Sequence, residues 1–466
     1  MDLESVCYEE KLPFLKYLNE KTLLYCITCL AFAGVFSLIW IVKKYTFFEK
    51  AKLARVKTPR FPYGNISDVI NKETTLYEVL GKYYSRFKKK GYDVGGMFFF
   101  IKPVVIIVKN EYVRHILDST ENFSEVYPEQ YKLKSDMFDS SCVKVFLENY
   151  HVSLKGTILE SLKKDDIHSV LRNYLLELVS LSFGVNSFEI IEELNLLLKL
   201  KTEANFRYNL SLCHPIFKNK NSALYSDFEG VFLDIMNDRK KNDIVKDDFF
   251  QFFINLFNES QCDTKEVSRE LFNLFADSVI YSYSVILCSL YEMSRNTDIQ
   301  DELIGEIRRY NKQGVVLNLD NLKELEYLNS VVFETLRKYP PVPYILKACQ
   351  KDFKKNNLVV PKDTLVAVSI LGLHRSSENY TDPENFDPDR FADQSDLNKV
   401  LYIPFGTRRQ DNLTKLVILY TKLTLVDIFS NLTVRKKKDS EQIFKFDPKL
   451  IPLRPMETYP FVFDRL

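Results

Sequence analysis

The sequence predicts a mostly α-helical domain with minor β structure, behind one N-terminal transmembrane helix. Three observations carry that prediction. From Thr22 to Val42 run 21 residues without a charge, and a helix needs about 20 apolar residues to cross a bilayer core. From about Glu111 to Tyr339, apolar residues recur at three- and four-residue spacing with few Gly or Pro, the period of helices that bury one face. Only two short stretches, Met97–Val108 and Leu358–Val368, read as strands around a turn, so the sheet is the smaller part.

Each element follows in order. Residues 1–21 carry mixed charge and precede the apolar run, which is too long for the core of a cleaved leader and fits an anchor at 22–42. Lys43, Lys44, Lys50, Lys52, Arg55 and Lys57 crowd its C-terminal flank. The positive-inside bias therefore places the body in the cytosol and residues 1–21 in the lumen. With that orientation, the seven N-x-S/T sequons beginning at Asn65, Asn122, Asn209, Asn258, Asn379, Asn412 and Asn431 are chance matches. Residues 43–65 read as a basic, proline-containing linker ending in the turn-rich Pro59–Asn65. Residues 66–466 read as one domain without internal repeats. In it, the first hairpin turns at Lys102-Pro103 and the second at Pro361–Thr364, and a last long helix starts at Asn412 with Leu416, Leu419, Leu423 and Val426 on one face.

Composition narrows the function classes. A formal charge of +1 removes any argument for nucleic acid as a partner. The eight cysteines are scattered, and only Cys26 and Cys29 show C-x-x-C spacing, inside the apolar run. That pattern fits reduced thiols in a cytosol-facing protein and gives no metal site. Glycine is scarce, 13 in 466, against a usual share of about 7%.

Two constellations stand out. Glu334 and Arg337 lie at i,i+3 on one helix face, just before Tyr339-Pro-Pro-Val-Pro343, with Leu373-His-Arg and Pro388-Asp-Arg-Phe391 following. Farther on, Tyr402-Ile-Pro-Phe-Gly406 opens a loop that ends where the last helix begins at Asn412.

In this order the motifs resemble the haem-thiolate monooxygenases, the cytochrome P450 family, and especially its insect microsomal detoxification enzymes. The resemblance runs from the anchor to near the C-terminus and implies the cytochrome P450 fold, a haem cofactor, residence in the endoplasmic reticulum membrane, an NADPH-dependent flavoprotein reductase as partner and a lipophilic small molecule as substrate. It casts Glu334, Arg337 and Arg390 as a structural charge triad, with Asp389 where the family has Glu. Pro404, Phe405 and Gly406 match the start of its haem-binding loop. Without gaps, Arg408 then falls where a second Gly belongs, Gln410 where an Arg belongs, and Asn412 where the Cys ligand belongs. The helix after Asn412 keeps the family's register, which argues against a frameshift.

The departures cluster. The family's A/G-G-x-D/E-T-T/S helix signature corresponds here to Asp277–Ser282, so Ile280 replaces the proton-relaying acid and Tyr281 the threonine. Tyr281 and Tyr283 read as core packing. The propionate-holding Trp is missing, since the only tryptophan is Trp40 in the anchor, and Lys155 stands near the place of the accompanying Arg. None of the five histidines, and no cysteine, lies in the 404–414 loop. A thiolate favours O–O cleavage by donating electron density to iron, and a carboxamide cannot do so. The sequence therefore points to a degenerate, catalytically inactive member with a binding or interaction role and no catalytic residues. The alternatives are a reductase-dependent haem monooxygenase acting on lipophilic small molecules, and a haem protein with a histidine ligand. Arg408, Arg409 and Lys415 read as a solvated basic edge or a retained reductase-docking face, and Arg435–Lys438 as an exposed basic turn or one leaning on anionic lipid headgroups.

Overall fold

The computed structural model describes residues 20–56, 59–71, 73–125, 137–162, 166–185, 222–259, 263–314, 316–356, 358–393, 401–406, 411–437, 445–446 and 460–466. Arg408, Arg409, Gln410, Lys438, residues 1–19, 205–221 and 260–262 lie outside them.

The chain is mostly helical with minor strands, as its patterning predicts. Its principal helices are α1 (Glu20–Tyr45), α2 (Leu76–Lys89), α3 (Asn110–Asp118), α4 (Ser141–Ser153), α5 (Ile167–Phe183), α6 (Ser222–Lys241), α7 (Phe249–Glu259), α8 (Thr264–Met293), α9 (Thr297–Lys312), α10 (Glu326–Lys338) and α11 (Asn412–Phe429). Local chemistry sets several boundaries. Thr75 and Glu78 form a capping box at the start of α2, with Glu78 N–H donating to Thr75 Oγ1 at 3.1 Å and Thr75 N–H to Glu78 Oε2 at 3.0 Å. Asp411 caps α11 by accepting Thr414 N–H at 2.8 Å.

Among the described residues, two helices are long and apolar enough to cross a membrane, and burial separates them. In α1 the apolar stretch Leu24–Tyr45 contains no buried residue, whereas α8 is almost wholly buried and is the central core helix. Only α1 is left with an apolar surface for lipid to cover.

Among the described residues, nine strands form three sheets: β1 (Val94–Phe99), β2 (Lys102–Ile107), β3 (Phe123–Glu125), β4 (Tyr344–Cys349), β5 (Phe353–Lys355), β6 (Leu358–Val360), β7 (Leu365–Ser369), β8 (Leu432–Lys436) and β9 (Phe461–Arg465). The larger sheet runs β1-β2-β7-β4-β3, and β5–β6 and β8–β9 pair separately. Here the structure corrects both predicted hairpins. The first turns at Phe100-Ile101, because Phe99 pairs with Lys102 and Phe98 with Pro103. Pro103 is tolerated in β2 because the parallel ladder with β7 begins only at Val104. In the second, the turn at Pro361–Thr364 exists, with Thr364 N–H donating to Pro361 O at 3.3 Å, but its flanking strands do not pair. Instead β6 pairs with β5, and β7 lies between β2 and β4. The unbroken apolar run of β7 is fully buried, which suits a central strand better than half of a surface hairpin.

The 43–65 stretch, read as a linker, packs on this sheet. Val56 N–H donates to Gly96 O at 2.9 Å and Asn65 N–H to Phe98 O at 2.8 Å. Gly96 permits this approach, because a Cβ there would lie 2.4 Å from the Phe48 ring. Two apolar cores result. One joins α4, α5, α8, α10 and α11, and the other covers the sheet and α2; the last turns of α8 contribute to both through Leu290 and Tyr291.

Candidate functional site

Helix α10 brings Glu334 and Arg337 together with no solvent exposure. Arg337 donates from Nε to Glu334 Oε2 at 2.6 Å and from a terminal nitrogen to Oε1 at 2.8 Å, the bidentate geometry that a planar guanidinium favours. Its remaining donors reach His374 O at 2.8 Å and Asn385 O at 3.2 Å. Glu334 also accepts Asp387 N–H at 2.9 Å, and Arg390 Nε lies 3.5 Å from its Oε1. Arg390 donates further to Thr381 O and to Asp382 O. The structure thus brings the three sequence-predicted residues of the triad into one cluster. A buried pair of this kind fixes geometry and adds little net stability.

One member of this network escapes a sequence reading. His374 is fully buried, pairs through Nδ1 with Arg337 O at 3.0 Å and accepts Ile403 N–H on Nε2 at 3.1 Å. The neutral tautomer with the proton on Nδ1 satisfies both contacts. Its ring stacks on Tyr402 with centroids 5.6 Å apart, and Tyr402 donates to Phe333 O at 3.0 Å. His374 therefore ties the end of α10 to the loop before Phe405. The one available signal was its place in Leu373-His-Arg. Val342 N–H adds a bond to Pro404 O at 3.0 Å. Gly406 has φ +74°, a left-handed conformation that favours glycine.

Asn412 is the first residue of α11 and is buried. Its carboxamide oxygen accepts Met137 N–H at 3.1 Å, which pins the helix start to the turn leading into α4. Lys415, one turn on, lies over the Phe138 ring at 5.7 Å. It is partly buried on an aromatic face, so the predicted basic edge is not a row of freely solvated cations at this residue. Farther along α11, burial and then the nearby Lys323 push the Lys422 amine down to about 8, against the opposing pull of Glu306.

Across from this loop, α8 presents Ile280 and Tyr281. Ile280 is buried and Tyr281 packs at the edge of the helical core. The Tyr281 ring faces Phe405 with centroids 6.5 Å apart and an inclination of 42°. Tyr283 is buried and bonds His168 Nδ1 through its hydroxyl at 3.0 Å. Both tyrosines therefore serve packing.

Lys155 is not brought to this junction. It is exposed just past α4, and the neighbouring Gly156 N–H donates to Asp427 at 3.1 Å. Asp427 lies fifteen residues along α11 from Asn412, about 22 Å at the usual helical rise. Lys155 and Tyr174 both act on this buried carboxylate, the latter donating at 2.7 Å. Burial nevertheless holds its acidity below that of an ordinary aspartate.

The comparisons with known proteins agree with this architecture. The family model for cytochrome P450 matches residues 178–451. Cytochrome P450 6d3 of Musca domestica is 25% identical over 90% of this chain and 95% of its own length. Probable cytochrome P450 6d4 of Drosophila melanogaster is 24% identical over 88% of this chain and 93% of its own. Cytochrome P450 3A12 of Canis lupus familiaris is 29% identical over 63% of this chain and 64% of its own.

Proposed function

The chain belongs to the cytochrome P450 family, and on that premise we propose that it is a membrane protein that keeps the family's fold without thiolate-haem catalysis, acting by binding or interaction. Family resemblance implies haem as the cofactor. The residues at the corresponding place do not fit its attachment through sulfur. The observation that carries the reading is Asn412. It stands at the ligand position, and its oxygen is engaged by Met137 N–H. A carboxamide is neutral and cannot supply the electron density that a thiolate supplies. Ile280 and Tyr281 support the same reading, since neither can pass a proton as the family's acid and threonine do.

In this reading Glu334, Arg337 and Arg390 hold the frame, and Phe405 and Gly406 keep the loop's shape. Residues 22–42 anchor the protein in the endoplasmic reticulum membrane, 1–21 face the lumen, 43–65 connect, and the 66–466 domain faces the cytosol. What it binds is a lipophilic small molecule or a membrane-bound partner such as the flavoprotein reductase.

The competing reading is a working reductase-dependent monooxygenase, favoured by the names of the relatives. One spectrum separates the two. The full-length protein, extracted in detergent, is reduced and exposed to CO. The proposal expects no Soret band at the thiolate-haem position, and such a band overturns it.

A further inference from the structure

On the reading that residues 22–42 span a membrane, we infer that the turn Arg60–Tyr63 is a second lipid contact, whose aromatic side chains enter the headgroup region of the same bilayer beside the end of α1. Single exposed apolar residues are ordinary on a protein surface. Phe61 differs by its position. It is 63% exposed and Tyr63 is 37% exposed, on a turn that the fold fastens next to the last residue of α1.

Both halves of this corner grip the β1–β2 turn. From α1, the Tyr45 hydroxyl donates to Phe100 O at 3.2 Å, and its ring meets Phe98 edge-on with centroids 5.0 Å apart. Arg55 donates to Tyr45 O at 3.2 Å, which satisfies one of the open carbonyls at the helix end. From the other side, Phe100 N–H donates to Tyr63 O at 3.2 Å, and these two rings lie 6.0 Å apart. Paired backbone bonds between Arg60 and Gly64, each 2.8 Å, close the turn. Gly64 has φ +69°, and a Cβ there would lie 2.5 Å from Phe98 O, so glycine lets the turn lie this close to the sheet. Phe100 is thus shared, and the turn cannot swing away from α1 without breaking these bonds.

The corner also has the composition of a bilayer interface. Trp40 lies five residues before Tyr45, about 7.5 Å along the helix axis, with Lys44 over its ring at 5.4 Å. Aromatic rings with a polar tip favour the headgroup level, where the body is in hydrocarbon and the tip stays wet. Lys43, Lys44, Lys50, Lys52 and Arg60 are exposed between the helix and the turn. The only acid from Lys43 to Gly64 is Glu49, and it pairs with Arg55 at 2.5 Å. A surplus of cations beside exposed aromatic rings matches anionic headgroups over acyl chains. The occupant is the bilayer because this surface continues the exposed apolar side of α1.

The test uses tryptophan fluorescence of the full-length protein in vesicles of phosphatidylcholine and phosphatidylserine, with lipid brominated high on the acyl chain as one quencher and aqueous iodide as the other. Trp40 is the only native tryptophan, so the unaltered protein reports on α1, and Phe61→Trp in a Trp40→Phe background reports on the turn. The inference expects the turn's emission to shift to shorter wavelength on reconstitution, to fall with brominated lipid and to resist iodide. If Phe61→Trp does not accumulate, Tyr63→Trp in the same background reads the same turn. Iodide quenching without lipid quenching at the turn, while Trp40 is quenched by lipid, overturns the inference and leaves the anchor standing. Absence of lipid quenching at both positions refutes the anchor as well.

Discussion

The Glu334–Arg337 cluster and the Tyr281–Phe405 junction belong to one family pattern, yet they are built on opposite terms. In the first, polar atoms converge: Glu334 accepts from Arg337 and the Asp387 backbone, and Arg337 also reaches the carbonyls of His374 and Asn385. In the second, on the proposed reading, apolar and aromatic side chains stand where the family carries its chemistry, with Tyr281 against Phe405. The first cluster holds α10 to the loop whatever that loop binds, so a loss of chemistry would leave its task unchanged. The junction has no such second task, and its residues are free to become packing.

The largest effect lies in the cluster. Glu334→Ala or Arg337→Ala leaves a buried charge without its partner and should cost about 3–5 kcal/mol, read as a loss of folded yield or a fall in urea midpoint. Arg337→Lys should fail similarly, since an ammonium cannot reproduce the bidentate fork. A mild outcome would mean that the cluster is not the frame's keystone.

His374→Ala comes next. It leaves the Ile403 N–H and the Arg337 carbonyl without their buried partner, at about 2–4 kcal/mol for two such groups. The check is a urea midpoint measured beside that of wild type. Asn412→Ala should cost less, about 1–2 kcal/mol, because one backbone donor is orphaned. Asn412→Cys supplies a thiol but leaves Tyr281 in place, and it should produce no thiolate CO band. If that band appears, the junction holds more room than its rings indicate.

The smallest effect is a pH dependence in α11. The folded-state pKa of Lys422 is depressed from 10.5 to about 8, so the folded state disfavours its charge. The penalty is complete below pH 8 and lifts as pH rises toward 10.5, so wild-type stability gains over that window. Lys422→Met should remove the rise and add on the order of 1–2 kcal/mol at pH 7. Urea midpoints across that window test both the sign and the size.

The parts legible in the sequence were those carried by local spacing. Glu334 and Arg337 are three residues apart on one helix, and α1 and α11 announce themselves by composition and period. The start of α11 at Asn412 was legible by its apolar period, but the bond from Met137 N–H, 275 residues away in the chain, was not. His374 was hidden because each ring nitrogen serves a different distant segment. The hairpins failed for the same reason: β7 pairs across the chain with β2, not with its neighbour β6. Lys155 was misplaced because only the fold shows that α4 ends beside Asp427.

The most direct test of a retained frame without its chemistry is an absorbance scan of the purified full-length protein, with haem counted per chain before and after reduction under CO. A frame kept without its chemistry should carry far less than one haem per chain and show no thiolate band. One haem per chain with that band would contradict it.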